Sequence, residues 1–242
     1  MKQQRRSSPG FFYGVLALIA IVGAVLIWRT AKTPRKVNAI DVQATPAQAE
    51  GYLLGNPNAP VQIMEFADFE CPACANFATI TEPDVRQRIV NQGLASYRYF
   101  DFPLPQHKNS IAASNAAACA ADQGKFWEMH DLLFRNQPDW NGESTNNPKK
   151  YFEQYAKQLG LDMGKWNQCF DSQAHMSRIM GNKAEGERRQ IAQTPTFFIG
   201  NKMIPGALTY DQFKAYVDTA AQQFAATATA RADSQQKKGA PR

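Results

Sequence analysis

Two cysteines stand two residues apart in Cys71-Pro72-Ala73-Cys74. That spacing lets one thiolate attack a disulfide while its neighbour resolves the intermediate. The pair follows an apolar run, Val61-Gln62-Ile63-Met64-Glu65-Phe66, and precedes a segment that reads as helix. A cysteine at a strand-to-helix turn meets the free N–H groups and the positive dipole end of the helix, and both stabilise a thiolate. Pro72 falls at the first helical position, where its missing N–H costs nothing. Two other chemistries use the same spacing. A zinc site needs a second pair of ligands, and no further C-x-x-C or H-x-x-x-H follows; Cys119, Cys169, His107, His130 and His175 are scattered. An inert structural bridge would use the pair without turnover. The reading taken is redox exchange, with no metal and no cofactor.

Glu65 interrupts the apolar strand six positions before Cys71. Buried, its carboxyl would be costly to ionise, and its pKa would rise into a range useful for passing a proton to or from Cys74. At a strand end it would simply reach solvent. Asp68 and Glu70 flank the pair and would oppose a Cys71 thiolate if close.

The elements that must position these groups follow from periodicity. Val61–Phe66 is apolar nearly throughout, as in a strand covered on both faces. Residues 72–90 read as a helix that Pro83 should kink or break. Leu94–Phe102 reads as a second strand. From Ser110 to about Arg189 the pattern is helical, with an Ala-rich run at 111–121 and stripes at Phe126-Trp127-Met129-His130-Leu133-Phe134 and Tyr151-Phe152-Tyr155-Leu159. The Trp and Phe stripes read as core. Pro195-Thr196-Phe197-Phe198-Ile199 restores a strand, Gly200-Asn201 turns, and Lys202-Met203-Ile204 pairs back. Tyr210 to about Phe224 closes the chain as a helix. The order predicts an α/β sheet interrupted by a helical subdomain.

Phe11–Trp28 is apolar and uncharged. Its 18 residues would reach about 27 Å as a helix, enough for a hydrocarbon core. Its bulky end, Leu26-Ile27-Trp28, lacks a cleavage site of small residues, so residues 1–29 read as a cytoplasmic start and an uncleaved anchor rather than a signal peptide. Residues 30–50 read as a linker, 51–225 as one domain with its insertion at about 107–190, and 226–242 as a solvated, disordered polar tail. The net charge of +6 belongs to the anchor. Of 27 Lys and Arg, seven lie in residues 1–36, which hold no acid; the remaining 20 face 21 Asp and Glu, a net of −1. A domain so balanced does not predict nucleic-acid binding. Disulfide chemistry places it on the extracytoplasmic side of the cell membrane, periplasmic or cell-envelope.

With a strand, C-P-x-C, a helical insertion and a later Thr-Pro before a strand, the chain resembles the DsbA-like branch of the thioredoxin superfamily, in its membrane-anchored bacterial form. The resemblance covers about residues 50–225. It rests on Glu65-Phe66-Ala67-Asp68-Phe69-Glu70-Cys71-Pro72-Ala73-Cys74, on Gly124-Lys125-Phe126-Trp127-Glu128-Met129-His130-Asp131, and on Thr194-Pro195-Thr196-Phe197-Phe198. It implies a thioredoxin-like sheet with an inserted helical subdomain. It also implies oxidation of cysteine-containing exported proteins and recycling of the pair by a membrane-embedded redox partner. Reduction, isomerisation, or a tethered holdase with a vestigial site are the alternatives. Cys71 would be the nucleophile and Cys74 the resolving thiol. Glu65 would relay a proton. Thr194-Pro195 would be a cis-proline element that, with Pro72 and Ala73, receives substrate, although by sequence alone Pro195 reads equally as an ordinary trans proline. Two buried, unpaired cysteines would serve at Cys119 and Cys169 as small apolar residues; the resemblance implies that they form a structural bridge. Potent oxidants of this family often carry His where this chain has Ala73.

Overall fold

The structure, a computed structural model, describes residues 49–239. The anchor at Phe11–Trp28 and nearly all of the linker lie outside the described residues. Among the described residues, no helix is long and apolar enough to cross a membrane.

Five strands form one sheet: β1 (Tyr52–Leu54), β2 (Val61–Ala67), β3 (Ala95–Asp101), β4 (Thr196–Ile199) and β5 (Lys202–Pro205), in the order β1-β3-β2-β4-β5. β2 and β3 run parallel over seven paired residues, Val61↔Ala95 to Ala67↔Asp101. β1, β4 and β5 each pair antiparallel with their neighbours. The short edge strand β1 has no apolar alternation in the sequence; it is found only by its pairing to β3. The Gly200-Asn201 turn joins β4 to β5 as expected, with Ile199 paired to Lys202. Gly200 has φ +60°, and a Cβ there would lie 2.9 Å from Ala220 Cβ; both the turn and the helix packed on it need glycine.

A helical run, α1, leaves the sheet directly after Cys71 and covers residues 72–90 in four segments: Pro72–Asn76, Phe77–Thr81, Glu82–Val85 and Arg86–Val90. Pro83 does not break the run, but it stands just past a change of helical spacing, an irregularity of the kind expected of a proline inside a helix. The turn before it, Phe77–Thr81, widens to π-helical spacing, which relieves the clash a proline ring makes with the carbonyl four residues back.

Between β3 and β4 lies the insertion: α2 (Ser110–Ala121), α3 (Phe126–Arg135), α4 (Gln137–Trp140), α5 (Lys149–Gln158), α6 (Met163–Ser172) and α7 (Met176–Arg188). It packs around Trp140, Phe152 and Trp166, all fully buried, so those stripes are core as read. Trp127 is the partial exception: it is half-buried and donates its indole N–H to Leu53 O at 3.0 Å. Cys119 and Cys169 form a disulfide that ties α2 to α6. α7 lies against β3 so closely that a Cβ at Gly186 would come within 2.5 Å of the Phe102 ring.

The last helix, α8, runs from Tyr210 to Gly239. It passes the end expected near Phe224 and takes up most of the segment expected to be disordered. The sequence Ala220-Ala221-Gln222-Gln223-Phe224-Ala225-Ala226 is made almost entirely of strong helix formers. Hydroxyls of Thr227 and Thr229 bond back to the carbonyls of Gln223 and Ala225. Polarity set the tail's solvation but not its backbone.

Candidate active site

The carboxyl ends of β2 and β3 meet the N-terminus of α1, and the cysteine pair sits there. Cys71 is the residue before the first helical turn, extended at φ −75° and ψ 123°, and Pro72 follows at the first helical position. The loop before it is fixed by groups far away in sequence. Asp68 accepts hydrogen bonds from the backbone of Glu70 at 2.8 Å and Leu104 at 2.7 Å, and its Oδ2 lies 2.7 Å from His107 Nδ1. Glu70 accepts from the backbone N–H of Asn109 at 2.6 Å and of Gly142 at 2.5 Å. Gln137, from the insertion, donates to Phe69 O at 2.7 Å and Cys71 O at 3.1 Å. The insertion therefore holds the turn that carries the cysteine pair in place. Asp68 and Glu70, which the sequence sets against the thiolate if close, also brace the loop: both are buried and their oxygens accept from loop donors.

The two thiols have unlike surroundings. The Cys71 thiol is pulled from 9.0 down to about 6, above all by a hydrogen bond from Cys74; burial, the next largest influence, opposes this, and Thr194 and the backbone N–H groups of Cys74 and Ala73 add smaller help. Burial pushes the Cys74 thiol well up, and the charges of Cys71 and Glu65 add to it. Cys74 is fully buried, whereas Pro72 and Ala73 are exposed beside Cys71.

Across from the pair, the Thr194–Pro195 bond is cis. Cys71 Sγ donates to Thr194 O at 3.5 Å, and the next residues enter β4. Glu65 lies on the β2 face shared with Val61, Ile63 and Ala67. It is 1% exposed, which rules out the strand-end reading in which it reaches solvent. Tyr97, on β3, donates to Glu65 Oε2 at 2.6 Å. Burial pushes the Glu65 carboxyl well above its usual range; the neighbouring Glu82 adds to that, and Tyr97 works against it. The structure thus brings Cys71, Cys74, Glu65, Thr194 and Pro195 into one site. It places Cys119 and Cys169 elsewhere, in the insertion, with His175 close enough that the two sulfurs and a ring nitrogen lie within 4.8 Å of one another. Tyr97, Glu82 and Gln137 were not singled out from sequence. Only the acidic break in an apolar strand hinted that some partner for Glu65 must exist.

Residues 47–219 match the family model described as Thioredoxin, and the chain belongs to that family. Its fold, helical insertion included, is that of solved DsbA structures. The chain is 22% identical over 178 residues to Disulfide bond formation protein D of Bacillus subtilis, covering 73% of this chain and 80% of that one. It is 30% identical over 182 residues to the Na(+)/H(+) antiporter NhaA 3 of Salinispora tropica; there the match takes in 75% of this chain but 26% of the antiporter. The chain thus spans about a quarter of the length of that antiporter. Among solved structures, Wolbachia pipientis alpha-DsbA1 superposes with a TM-score of 0.66 at 22% identity, over 74% of this chain and 94% of that one.

The exposure of Ala73 leads to one prediction. An imidazolium at that position would stand beside the Cys71 thiolate and favour it. Ala73→His is expected to lower the Cys71 pKa further and make the pair more oxidising, each pKa unit corresponding to about 1.4 kcal/mol. Thiolate absorbance titrated in both proteins checks it; an unchanged or raised pKa would refute it.

Proposed function

We propose that this protein is an extracytoplasmic oxidase of protein thiols, tethered to the membrane by the Phe11–Trp28 segment. A substrate thiolate attacks Cys71 Sγ in the Cys71–Cys74 disulfide. That bond breaks, a mixed disulfide forms, and Cys74 leaves as a thiolate that takes a proton from Glu65. A second substrate thiolate then displaces Cys71, which leaves as its stabilised thiolate. The substrate loses two electrons and the cysteine pair gains them. Thr194 offers its backbone to an extended peptide by strand addition, and Pro195, Pro72 and Ala73 shape the surface around Cys71. A membrane-embedded redox partner reoxidises the pair. Substrates are exported proteins with cysteine pairs, in keeping with the name of the Bacillus relative.

The observation that carries this reading is the divergence of the two thiols. A Cys71 pKa near 6 favours the reduced state and so makes the disulfide a better oxidant. A buried, protonated Cys74 suits a resolving thiol that must acquire and release its proton through a neighbour. Reduction or isomerisation would use the same residues, but neither gains from a stabilised Cys71 thiolate to the same degree.

The test is a comparison of traps. Cys74→Ala should accumulate mixed disulfides between Cys71 and substrate proteins, because the resolving thiol is gone. Cys71→Ala should accumulate at least tenfold fewer, consistent with a thiol that is buried and protonated. Equal trapping by the two variants would remove the assignment of roles.

A further inference from the structure

Glu65 can accept the proton of Cys74 only if its own has first been removed. At 1% exposure it has no direct route to solvent. Glu82, whose charge acts on Glu65, belongs to a set of groups that the reaction above does not use. Glu82, fully buried on α1, binds Arg86 through Oε1, at 2.8 Å from Nε and 2.7 Å from an Nη. Its Oε2 has no hydrogen-bond partner. His130, fully buried on α3, likewise has a ring nitrogen, Nε2, without a partner. These two orphaned atoms face each other at 3.7 Å. Buried polar atoms without partners are rare and call for an explanation.

The other side of the imidazole reaches the surface. Nδ1 lies 2.9 Å from Asp131 Oδ1 and 3.1 Å from an Nη of Arg86. These contacts suit opposite tautomers. A protonated Nδ1 donates to Asp131 and leaves Nε2 free to accept; a bare Nδ1 accepts from Arg86 and leaves Nε2–H aimed at Glu82. The rings of Phe69, Tyr99, Phe126, Trp127 and Phe134 enclose the imidazole. They hold its position while leaving its two nitrogens at the two ends. Asp131 is 40% exposed and opens on a groove lined by Thr79, Pro83, Arg86 and Arg135. The groups facing His130 are thus Glu82 and Arg86 from α1, Tyr99 from β3, and Asp131 from its own helix. Glu65 is coupled to Glu82 by charge, and Tyr97 responds to both carboxylates.

We propose that Glu82, His130 and Asp131 form a proton conduit joining Glu65, and through it Cys74, to solvent at the Arg86–Asp131 groove. The inference rests on the oxidoreductase reading of Cys71 and Cys74. These are positioning residues that touch no substrate. In the resolving step, the Cys74 thiol gives its proton to Glu65, and the thiolate attacks Cys71 Sγ of a mixed disulfide. The Cys71–Cys74 bond forms as the mixed disulfide breaks, and the departing thiolate is protonated by water. Glu65 then discharges its proton through Glu82 and the two nitrogens of His130.

The test separates the two thiols. In full-length protein, Cys71 alkylation by iodoacetamide is compared with resolution by Cys74 of a preformed Cys71–glutathione mixed disulfide. His130→Phe keeps a ring in the aromatic cage and removes the proton carrier; Glu82→Gln and Asp131→Asn do the same at the other two positions. Resolution is expected to slow at least tenfold in His130→Phe and Glu82→Gln, with an altered pH profile, while Cys71 alkylation stays within twofold of wild type. Asp131→Asn, at the half-exposed end, decides the matter by the same measure if the buried variants do not fold. Resolution at the wild-type rate in the folded variants would overturn the conduit and leave the oxidoreductase reading intact. A wild-type mixed disulfide that Cys74 never resolves would overturn both.

Discussion

Removing the insertion's disulfide by replacing both Cys119 and Cys169 with Ala is expected to destabilise the oxidised protein by about 4 kcal/mol. The bridge joins residues 50 apart in sequence. Opening a loop of that length returns roughly that much conformational freedom to the unfolded chain. Against a typical total of about 5–15 kcal/mol, the loss is large. For a chain of this size it corresponds to a fall in melting temperature on the order of 10 °C. The consequence extends beyond α2 and α6, because Gln137, Asn109 and Gly142 of the same region brace the loop that carries Cys71. Denaturant unfolding of both proteins checks the value. A difference below about 1 kcal/mol would mean that the bridge constrains little.

The second large effect is a pH dependence. The Cys71 thiol is lowered from 9.0 to about 6 in the folded, reduced protein. Its alkylation rate should rise about tenfold per pH unit up to 6 and level off by pH 7, where a free thiol would still be mostly protonated. The same shift acts on stability. A group whose folded pKa is depressed contributes stability that is fully present above its unfolded value and is lost as pH falls through the folded one. The reduced protein should therefore gain stability over the oxidised one between about pH 6 and pH 9, and lose that advantage below 6. Thermal unfolding of both redox forms across this range reads it directly. An alkylation rate still climbing steeply at pH 8 would contradict the low pKa.

Much of the site is visible in the sequence because its parts are local. Cys71-Pro72-Ala73-Cys74 carries its own turn and helix start, and Thr194-Pro195 directly precedes its strand. Glu65 marks itself as a charge in an apolar run. What escapes the sequence is pairing across distance. Tyr97 meets Glu65 from 32 residues away, and Arg86 meets His130 from 44. Nothing in either segment's periodicity announces these contacts. Asp68 and Glu70 are legible as charges near a thiolate but not as braces, because Leu104, His107, Asn109 and Gly142 reach them from far along the chain. Pro83 announces an irregular helix in the sequence, but not that the irregularity takes the form of a π-helical turn. The end of α8 was misjudged for another reason: an alanine-rich segment can be polar on average and still be helical.

The redox equilibrium of the Cys71–Cys74 pair against glutathione tests the central claim most directly. An oxidase with a Cys71 thiolate stabilised near pH 6 should have a potential clearly above that of thioredoxin, about −270 mV, and below or near that of DsbA, about −120 mV. A potential at or below about −270 mV would contradict the account and assign the same residues to disulfide reduction.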